Sequence, residues 1–227
     1  CNEYHIELVE DAAESIGSFY KGRHTGTFGR VGAISFNGNK TITTGGGGML
    51  LFQDEELGKL AKHLTTQAKV PHRWAFVHDH VGYNYRMPNI NAALGCAQLE
   101  KLDDIVARRR ENFDYLHKGL EGVKGLLLPE PQKNSKPSWF GFFITVLPNA
   151  GYTRTELTKY LEDHKVQTRN LFAGNLLKHP AFEQYVLNKD YRVVGDSLPV
   201  TDSIMNDCFW IGVYPGMTQE KLQYMID

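Results

Sequence analysis

The sequence predicts an α/β protein, and two patterns in its first seventy residues carry that prediction. Short apolar runs, typical of buried strands, occur as "HIELV", "VGAISF" and "GMLLF", and glycine-rich segments separate them. From Asp54 to Thr66 the pattern becomes helical, because Leu57, Leu60, Ala61 and Leu64 recur at the spacing of one helix face. Apolar strands alternating with an amphipathic helix indicate a sheet covered by helices.

The remaining elements extend this pattern. The stretch "GSFYKGRHTGTFGR" predicts a hairpin-like loop, and residues 69–89 predict a long irregular loop rich in His, Arg and Tyr. A long helix is expected over residues 89–119, because Pro88 suits a helix start. "WFGFFITVL" predicts a strand, "TRTELTKYLEDH" a helix capped at Thr153 or Thr155, and "KVQTRNL" a short strand. We place a domain change near the long helix, with residues 1–95 in one domain and 96–227 in the other.

Composition excludes several classes of protein. The 25 Lys and Arg residues balance 26 Asp and Glu residues, so charge favours neither nucleic acid nor an anionic membrane as partner. No apolar run approaches the roughly 20 residues of a membrane span. The three cysteines are far apart and form no CxxC pair, which favours a reduced, cytoplasmic location without a zinc site or disulfides. Because the chain starts at Cys1 and runs directly into a predicted strand, we expect it to be an N-terminally truncated fragment.

Asp11 is the first candidate site residue. It ends a predicted strand, and open α/β sheets bind ligands at the carboxyl ends of their strands. A carboxylate there can pair with a protonated ring nitrogen. The alternative is an N-cap for a helix beginning at "AAES", which accounts for an aspartate equally well.

The block "SFNGNKTITTGGGG" contains the second candidate, Lys40. A lysine amine forms a Schiff base with an aldehyde when partial burial or a nearby cation favours its neutral form. Ser35 can bind a phosphate, and the glycines allow the backbone to approach a ligand closely. The alternative is an ordinary surface lysine in a turn.

The third candidate is the segment "GYNYRMP". Asn84 and Arg86 lie just before a predicted helix start, where amide groups favour anions. In the alternative, the tyrosines pack together and Arg86 meets a carboxylate.

Three segments in this order, "VEDAAESIGSFYKGRHTGTFG", "AISFNGNKTITTGGGGML" and "GYNYRMPNINAALGCAQLEKLD", resemble the DegT/DnrJ/EryC1/StrS aminotransferases. The resemblance implies part of a fold-type-I transferase: part of a large, mixed but mainly parallel sheet domain and a smaller α+β C-terminal domain. It also implies pyridoxal 5'-phosphate as cofactor. The implied activity is transfer of an amino group, from glutamate in most members, to a nucleotide-linked keto sugar.

By the same resemblance, Lys40 holds the cofactor and moves protons during transfer. Asp11 pairs with the ring nitrogen and Ser35 binds the phosphate. Glu14 stands where many members have a glutamine that contacts the ring hydroxyl oxygen. Asn84 and Arg86 match a loop offered to the cofactor phosphate of a neighbouring subunit, which implies a homodimer with shared active sites.

The C-terminal half also resembles the related sugar 3-dehydratases, through "WFGFFITV", "TRNLFAGN" and "TDSIMNDCFWIGVYPG". That branch has histidine in place of the Schiff-base lysine, so Lys40 favours amine transfer. Arg169, Asn175, Trp210 and Tyr214 become candidate substrate ligands. The alternative for Trp210 and Tyr214 is that they are core aromatic residues, and the alternative for Arg169 is a structural ion pair.

Two further expectations concern metals and activity. The spacing of His72, His78 and His80 does not indicate a metal, and we expect loop histidines. The resemblance also implies that a fragment without the N-terminal segment has half a cofactor pocket. A catalytically silent remnant that keeps the fold is therefore the alternative to an enzyme.

Overall fold

The structure is a computed structural model that describes residues 1–195 and 197–227, and it divides into two compact units. The first unit comprises residues 1–108 and 131–140, and the second comprises residues 109–130 and 141–227. The division falls inside a helix. The domain boundary expected at residue 95 stays a prediction.

The described residues form short strands and helices, and most neighbouring strands are joined by loops. The strands are β1 (Val9–Asp11), β2 (Phe19–Tyr20), β3 (Arg23–His24), β4 (Val31–Ser35), β5 (Gly48–Phe52), β6 (Lys69–Val70), β7 (Val77–His78), β8 (Leu126–Leu127), β9 (Ser135–Lys136), β10 (Phe142–Val146), β11 (Thr168–Asn170) and β12 (Cys208–Ile211). The helices are α1 (Glu55–Thr65), α2 (Asn89–Leu99), α3 (Leu102–Leu120), α4 (Arg154–Asp163), α5 (Glu183–Asn188), α6 (Pro199–Asp207) and α7 (Gln219–Ile226).

The main sheet of the first unit has the order β1-β4-β5, with β4 parallel to β1 and antiparallel to β5. This mixed sheet beside helices confirms the α/β prediction. The strands expected at residues 31–36 and 48–52 are confirmed. The strand expected at "HIELV" is wrong in extent, because β1 begins only at Val9. It is also not buried, since Ile6, Leu8 and Val9 are exposed.

The first unit also contains two hairpins. The predicted hairpin after Gly17 is present as β2 and β3, and β9 pairs with β2 on its other side. The loop expected over residues 69–89 is not wholly irregular, because β6 and β7 form a second hairpin inside it. Two-residue strands give a weak periodic signal, so the sequence pattern could not reveal them.

The single long helix expected over residues 89–119 is two helices. The backbone N–H of Lys101 donates to the carbonyl of Gln98, a tightened turn that interrupts the regular hydrogen-bond ladder between α2 and α3. Close packing by the small residues of α2 is confirmed at Gly95, which is buried. A Cβ there would lie 3.1 Å from Thr44 Cγ2.

The second unit is built on an antiparallel sheet in the order β11-β12-β10-β8. Alternate residues of β10 face the core, where Phe142 packs against Phe113 of α3 with ring centroids 4.9 Å apart. The predicted α4 is confirmed with Thr153 as its cap. Arg109 is buried in this unit, and that burial lowers the pKa of its guanidinium to about 10.

Candidate functional site

Lys40 lies in a loop between β4 and β5 that is closed by its own hydrogen bonds. The Phe36 N–H donates to the carbonyl of Gly47, and the Thr44 N–H donates to the carbonyl of Phe36. Ile42 and Phe36 are buried in the apolar cluster beneath the sheet. The side-chain amide of Asn91 in α2 donates to the Thr44 carbonyl over 2.6 Å. The loop is therefore held at both ends and from below.

The Lys40 side chain is largely buried, with 13% of its surface exposed. Its Nζ lies 2.9 Å from Oε1 of Glu14 and 5.0 Å from the ring centroid of Phe140. An aromatic face and a carboxylate hold one amine from two sides. The alternative of an ordinary exposed turn lysine is therefore wrong.

Asp11 and Ser35 lie at the carboxyl ends of the parallel strands β1 and β4. Asp11 Oδ1 accepts the N–H of Ala13 over 3.1 Å, and Ser35 Oγ accepts the N–H of Asn37 over 3.3 Å. No helix begins after Asp11, because residues 12–17 form turns. Asp11 therefore caps a turn, and its alternative as a helix N-cap is wrong.

The neighbouring Glu10 has a role that the sequence did not suggest. Its carboxylate accepts backbone N–H groups from Gly26 at 2.8 Å and from Phe28 and Gly29 at 2.6 Å each. Burial raises the pKa of Glu10, but the three hydrogen bonds outweigh that effect and leave the pKa below its ordinary value. This contact fastens the loop after β3 to β1, beside Asp11.

Asn84 and Arg86 lie in a different place from the lysine. They line a groove of about 1210 Å³ together with glycines 46–48 and residues of α1 and α2, and the lining includes neither Lys40 nor Asp11. Both side chains are exposed. The rings of Tyr83 and Tyr85 stack 5.1 Å apart, and Arg86 donates to Oδ1 of Asn89 over 3.2 Å. The first unit thus separates the candidate residues into two groups.

The candidates of the second unit occupy varied environments. Arg169 is exposed on β11, opposite Trp210 of β12. Asn175 is buried, and its amide donates to Asp202 Oδ1 while its carbonyl oxygen accepts the Leu177 N–H. Tyr214 is half-exposed. Their roles as substrate ligands stay predictions.

Sequence reasoning missed Phe140 as a partner of Lys40. Phe140 follows Lys40 by a hundred positions, inside an apolar run that reads as a strand, so no spacing links the two. Glu10 was missed because the sequence around a carboxylate at a strand end does not indicate which loop that carboxylate binds. Three-dimensional contacts alone identify both residues.

No helix among the described residues has the length and apolar character needed to cross a membrane.

Comparison with known proteins gives a consistent result. The sequence profile of the DegT/DnrJ/EryC1/StrS aminotransferase family matches residues 1–227. The chain is 38% identical to the lipopolysaccharide biosynthesis protein RfbH of Salmonella typhimurium, over 99% of the chain and 56% of that protein. It is also 38% identical to a dTDP-4-dehydro-2,6-dideoxy-D-glucose 3-dehydratase of Saccharopolyspora spinosa, over 99% of the chain and 53% of that enzyme.

A solved structure agrees with the sequence relatives. The aminotransferase TlmJ of Streptoalloteichus hindustanus superposes with a TM-score of 0.87 at 28% identity, over 100% of this chain and 58% of that one. The chain therefore spans little more than half the length of each of these relatives. The cofactor of the family is pyridoxal phosphate, which is also in the name of a relative, the putative pyridoxal phosphate-dependent aminotransferase EpsN of Bacillus subtilis, 39% identical over 76% of this chain and 44% of that protein. The profile covers the whole chain, so the chain belongs to the DegT/DnrJ/EryC1/StrS aminotransferase family.

Proposed function

We propose that this chain is part of an enzyme that transfers an amino group from glutamate to a nucleotide-linked keto sugar for surface-polysaccharide synthesis. The observation that carries the proposal is Lys40, whose largely buried amine lies 2.9 Å from Glu14 at the carboxyl edge of the sheet. Amine transfer by this cofactor requires a lysine that can both hold the cofactor and move a proton.

The first group of residues suits pyridoxal phosphate in its chemistry. When bound, the cofactor supplies an aldehyde that joins an amine and a ring that accepts an electron pair. Lys40 offers the amine, the Asp11 carboxylate suits a protonated ring nitrogen, and the Ser35 hydroxyl suits a phosphate oxygen. All three lie on β1, on β4 or in the loop that follows β4.

Glu14 gives Lys40 a partner for its proton. An ammonium is not a nucleophile, so Lys40 Nζ must lose a proton before it attacks an aldehyde. Glu14 Oε1, at 2.9 Å, is within hydrogen-bond reach of that proton. If Glu14 also makes the contact implied for this position, it would share a proton with the ring hydroxyl oxygen of the bound cofactor. The ring of Phe140, with its centroid 5.0 Å from the amine, gives Lys40 a second neighbour.

Dehydration of the sugar is the second candidate function, because one relative is a 3-dehydratase at 38% identity. The dehydratase branch is expected to have histidine where this chain has Lys40. Amine transfer needs a lysine at this position and the chain keeps Lys40, so amine transfer is favoured.

Site-specific labelling tests the role of Lys40. The purified chain is incubated with pyridoxal phosphate and reduced with borohydride, and the pyridoxyl group is then located by peptide mass spectrometry. We expect the label at Lys40, no label at this peptide in Lys40→Ala, and an unchanged result in the control Lys59→Ala, an exposed lysine of α1. A label spread evenly over surface lysines would support the silent remnant instead.

Isotope transfer separates the two reactions. The chain is supplied with pyridoxal phosphate, ¹⁵N-glutamate and a panel of nucleotide-linked 4-keto-6-deoxysugars. Appearance of ¹⁵N in the sugar supports amine transfer. A product that has lost a hydroxyl and gained no nitrogen supports the dehydratase.

We further propose a cytoplasmic homodimer with shared active sites. The support is that Asn84 and Arg86 lie on the groove, apart from Lys40. A loop placed there suits the cofactor of a second subunit better than its own. Light scattering at micromolar concentration should give the mass of two chains, and a monomer mass would contradict the proposal.

A further inference from the structure

Two histidines and an aspartate converge on one side of the first unit. His63 is in the last turn of α1, and Asp79 and His80 directly follow β7. His63 Nε2 lies 2.6 Å from Asp79 Oδ1, and His80 Nδ1 lies 3.0 Å from the same oxygen. The three ligand atoms all lie within 4.8 Å of one another. Two imidazoles thus meet one carboxylate oxygen.

The backbone around this cluster is firmly fastened. Asp79 N–H donates to the Ala68 carbonyl over 3.3 Å, and Ala68 N–H donates to the carbonyl of His63 itself over 2.9 Å. Gly82, two residues after His80, passes so close to the end of α1 that a Cβ there would lie 2.6 Å from Ala68 N. The positions of the three ligands are therefore set by main-chain contacts.

The side chains are accessible from solvent. They are 29% exposed at His63, 47% at Asp79 and 56% at His80. The Asp79 carboxylate accepts a hydrogen bond from each of the two imidazoles. A charged carboxylate and two imidazoles are ligands that Zn²⁺ accepts.

The hydrogen bonds of the two imidazoles to Asp79 Oδ1 account for the spacing of these three atoms in the metal-free chain, and a bound ion would take the place of the two hydrogen-bonded protons. Zinc bonds of roughly 2.0–2.2 Å in a tetrahedral site put ligand atoms about 3.4 Å apart. The two nitrogen–oxygen separations here, 2.6 and 3.0 Å, are somewhat shorter than that value, and half-exposed side chains can make the small shifts needed.

We propose that His63, Asp79 and His80 bind one Zn²⁺ ion, with water completing its coordination. The ion would cross-link the end of α1 to the segment that leads from β7 into Asn84 and Arg86. This revises the expectation of metal-free loop histidines. The spacing along the sequence concealed the site because His63 lies sixteen residues before Asp79. The inference is independent of the proposed enzymatic activity.

Metal titration tests the site on the full chain. After EDTA treatment and alkylation of the cysteine thiols, the chain is titrated with Co²⁺ and followed by visible absorption, and Zn²⁺ affinity is measured by calorimetry. We expect one equivalent to bind with a tetrahedral Co²⁺ spectrum that Zn²⁺ abolishes. Loss of a ligand in Asp79→Asn or His80→Asn should weaken affinity by about tenfold or more. His5→Asn is the matched control and should bind as the parent chain does.

Two results would overturn the proposal. One is a Zn²⁺ dissociation constant of about 1 mM or weaker in the parent chain, which marks adventitious binding. The other is equal affinity in the parent chain, Asp79→Asn and His80→Asn, which places the ion elsewhere. Far-ultraviolet circular dichroism establishes that each variant is folded. Hydrogen exchange gives a second readout: Zn²⁺ should slow exchange of the amides of residues 77–85 in the parent chain, and leave exchange in His80→Asn unchanged.

Discussion

The main sheets of the two units are stabilised by different interactions. In the second unit, Phe142 and Phe209 from neighbouring strands are completely buried, and the sheet has an apolar core. In the first unit, Val9 on β1 is 66% exposed, and Leu50 on β5 is exposed as well. That sheet packs on an apolar cluster that includes Ile34, Phe36 and Ile42, and close backbone contacts and the loop-binding carboxylate of Glu10 add to its order. The candidate cofactor residues Asp11, Ser35 and Lys40 therefore lie in the unit where polar contacts add to the apolar packing.

The largest expected effect is in the core of the second unit. Phe209→Ala removes a fully buried ring and should lower the free energy of unfolding by about 4 kcal/mol. Phe209→Leu keeps most of the volume and should cost about 1 kcal/mol. Urea unfolding gives both values, and hydrogen exchange of β10 shows which unit is affected. Equal exchange in the parent and Phe209→Ala would mean that burial contributes little to the second unit.

A close backbone contact should dominate in the first unit. At Gly32 in β4, an added Cβ would lie 1.9 Å from the carbonyl oxygen of Gly26, which no rotamer can relieve. Gly32→Ala should therefore cost about 3 kcal/mol. Gly38→Ala is the matched control, since its Cβ meets open space. Both are measured by urea unfolding, and similar midpoints in the two variants would contradict the argument.

A smaller effect is expected at the carboxylate that binds the loop after β3. Glu10→Gln weakens three backbone hydrogen bonds and, allowing for solvent, should cost about 1.5 kcal/mol at neutral pH. The folded pKa of Glu10 lies below its ordinary value of 4.5. Its contribution is therefore complete above pH 4.5 and is lost as the pH falls through the folded pKa.

The pH dependence supplies the control for Glu10. The difference in stability between the parent chain and Glu10→Gln should shrink when urea unfolding is repeated at about pH 3. A difference that persists unchanged at that pH would mean that the charge of Glu10 is irrelevant.

The smallest expected loss of stability comes from removing a helix N-cap, and it should be the same in both units. Asp54 caps α1 by accepting the N–H groups of Glu56 and Leu57, and Thr153 caps α4. Asp54→Ala and Thr153→Ala should each cost about 1 kcal/mol, because a cap depends on local geometry and not on the surrounding core. Urea unfolding measures both. A clearly larger loss in one unit would show that its helix end also supports tertiary packing.

The sequence predicted the features that local pattern encodes. The helices α1 and α4, with Asp54 at the start of the first and Thr153 as cap of the second, follow from apolar spacing and capping residues. The strands β4 and β5 follow from apolar runs bounded by glycine. The break between α2 and α3 was missed because neither Gly nor Pro marks it.

The sequence also could not predict the long-range contacts of the candidate site. Lys40 could be identified by resemblance, but its contacts with Glu14 and Phe140 join segments that are distant along the chain. The convergence of His63 with Asp79 and His80 depends on a hairpin whose strands are two residues long. Contacts of this kind arise from tertiary geometry, and no periodic pattern in the sequence predicts them.

The closed loop around Lys40 has a consequence for the order of folding. Its two closing hydrogen bonds join Phe36 to Thr44 and to Gly47, so every residue that they connect lies within a dozen positions. Short loops close with little loss of chain entropy and form before distant contacts. We therefore expect the turn that contains Lys40 to form early in folding. The contacts of this turn with Glu14, Asn91 and Phe140 should form later.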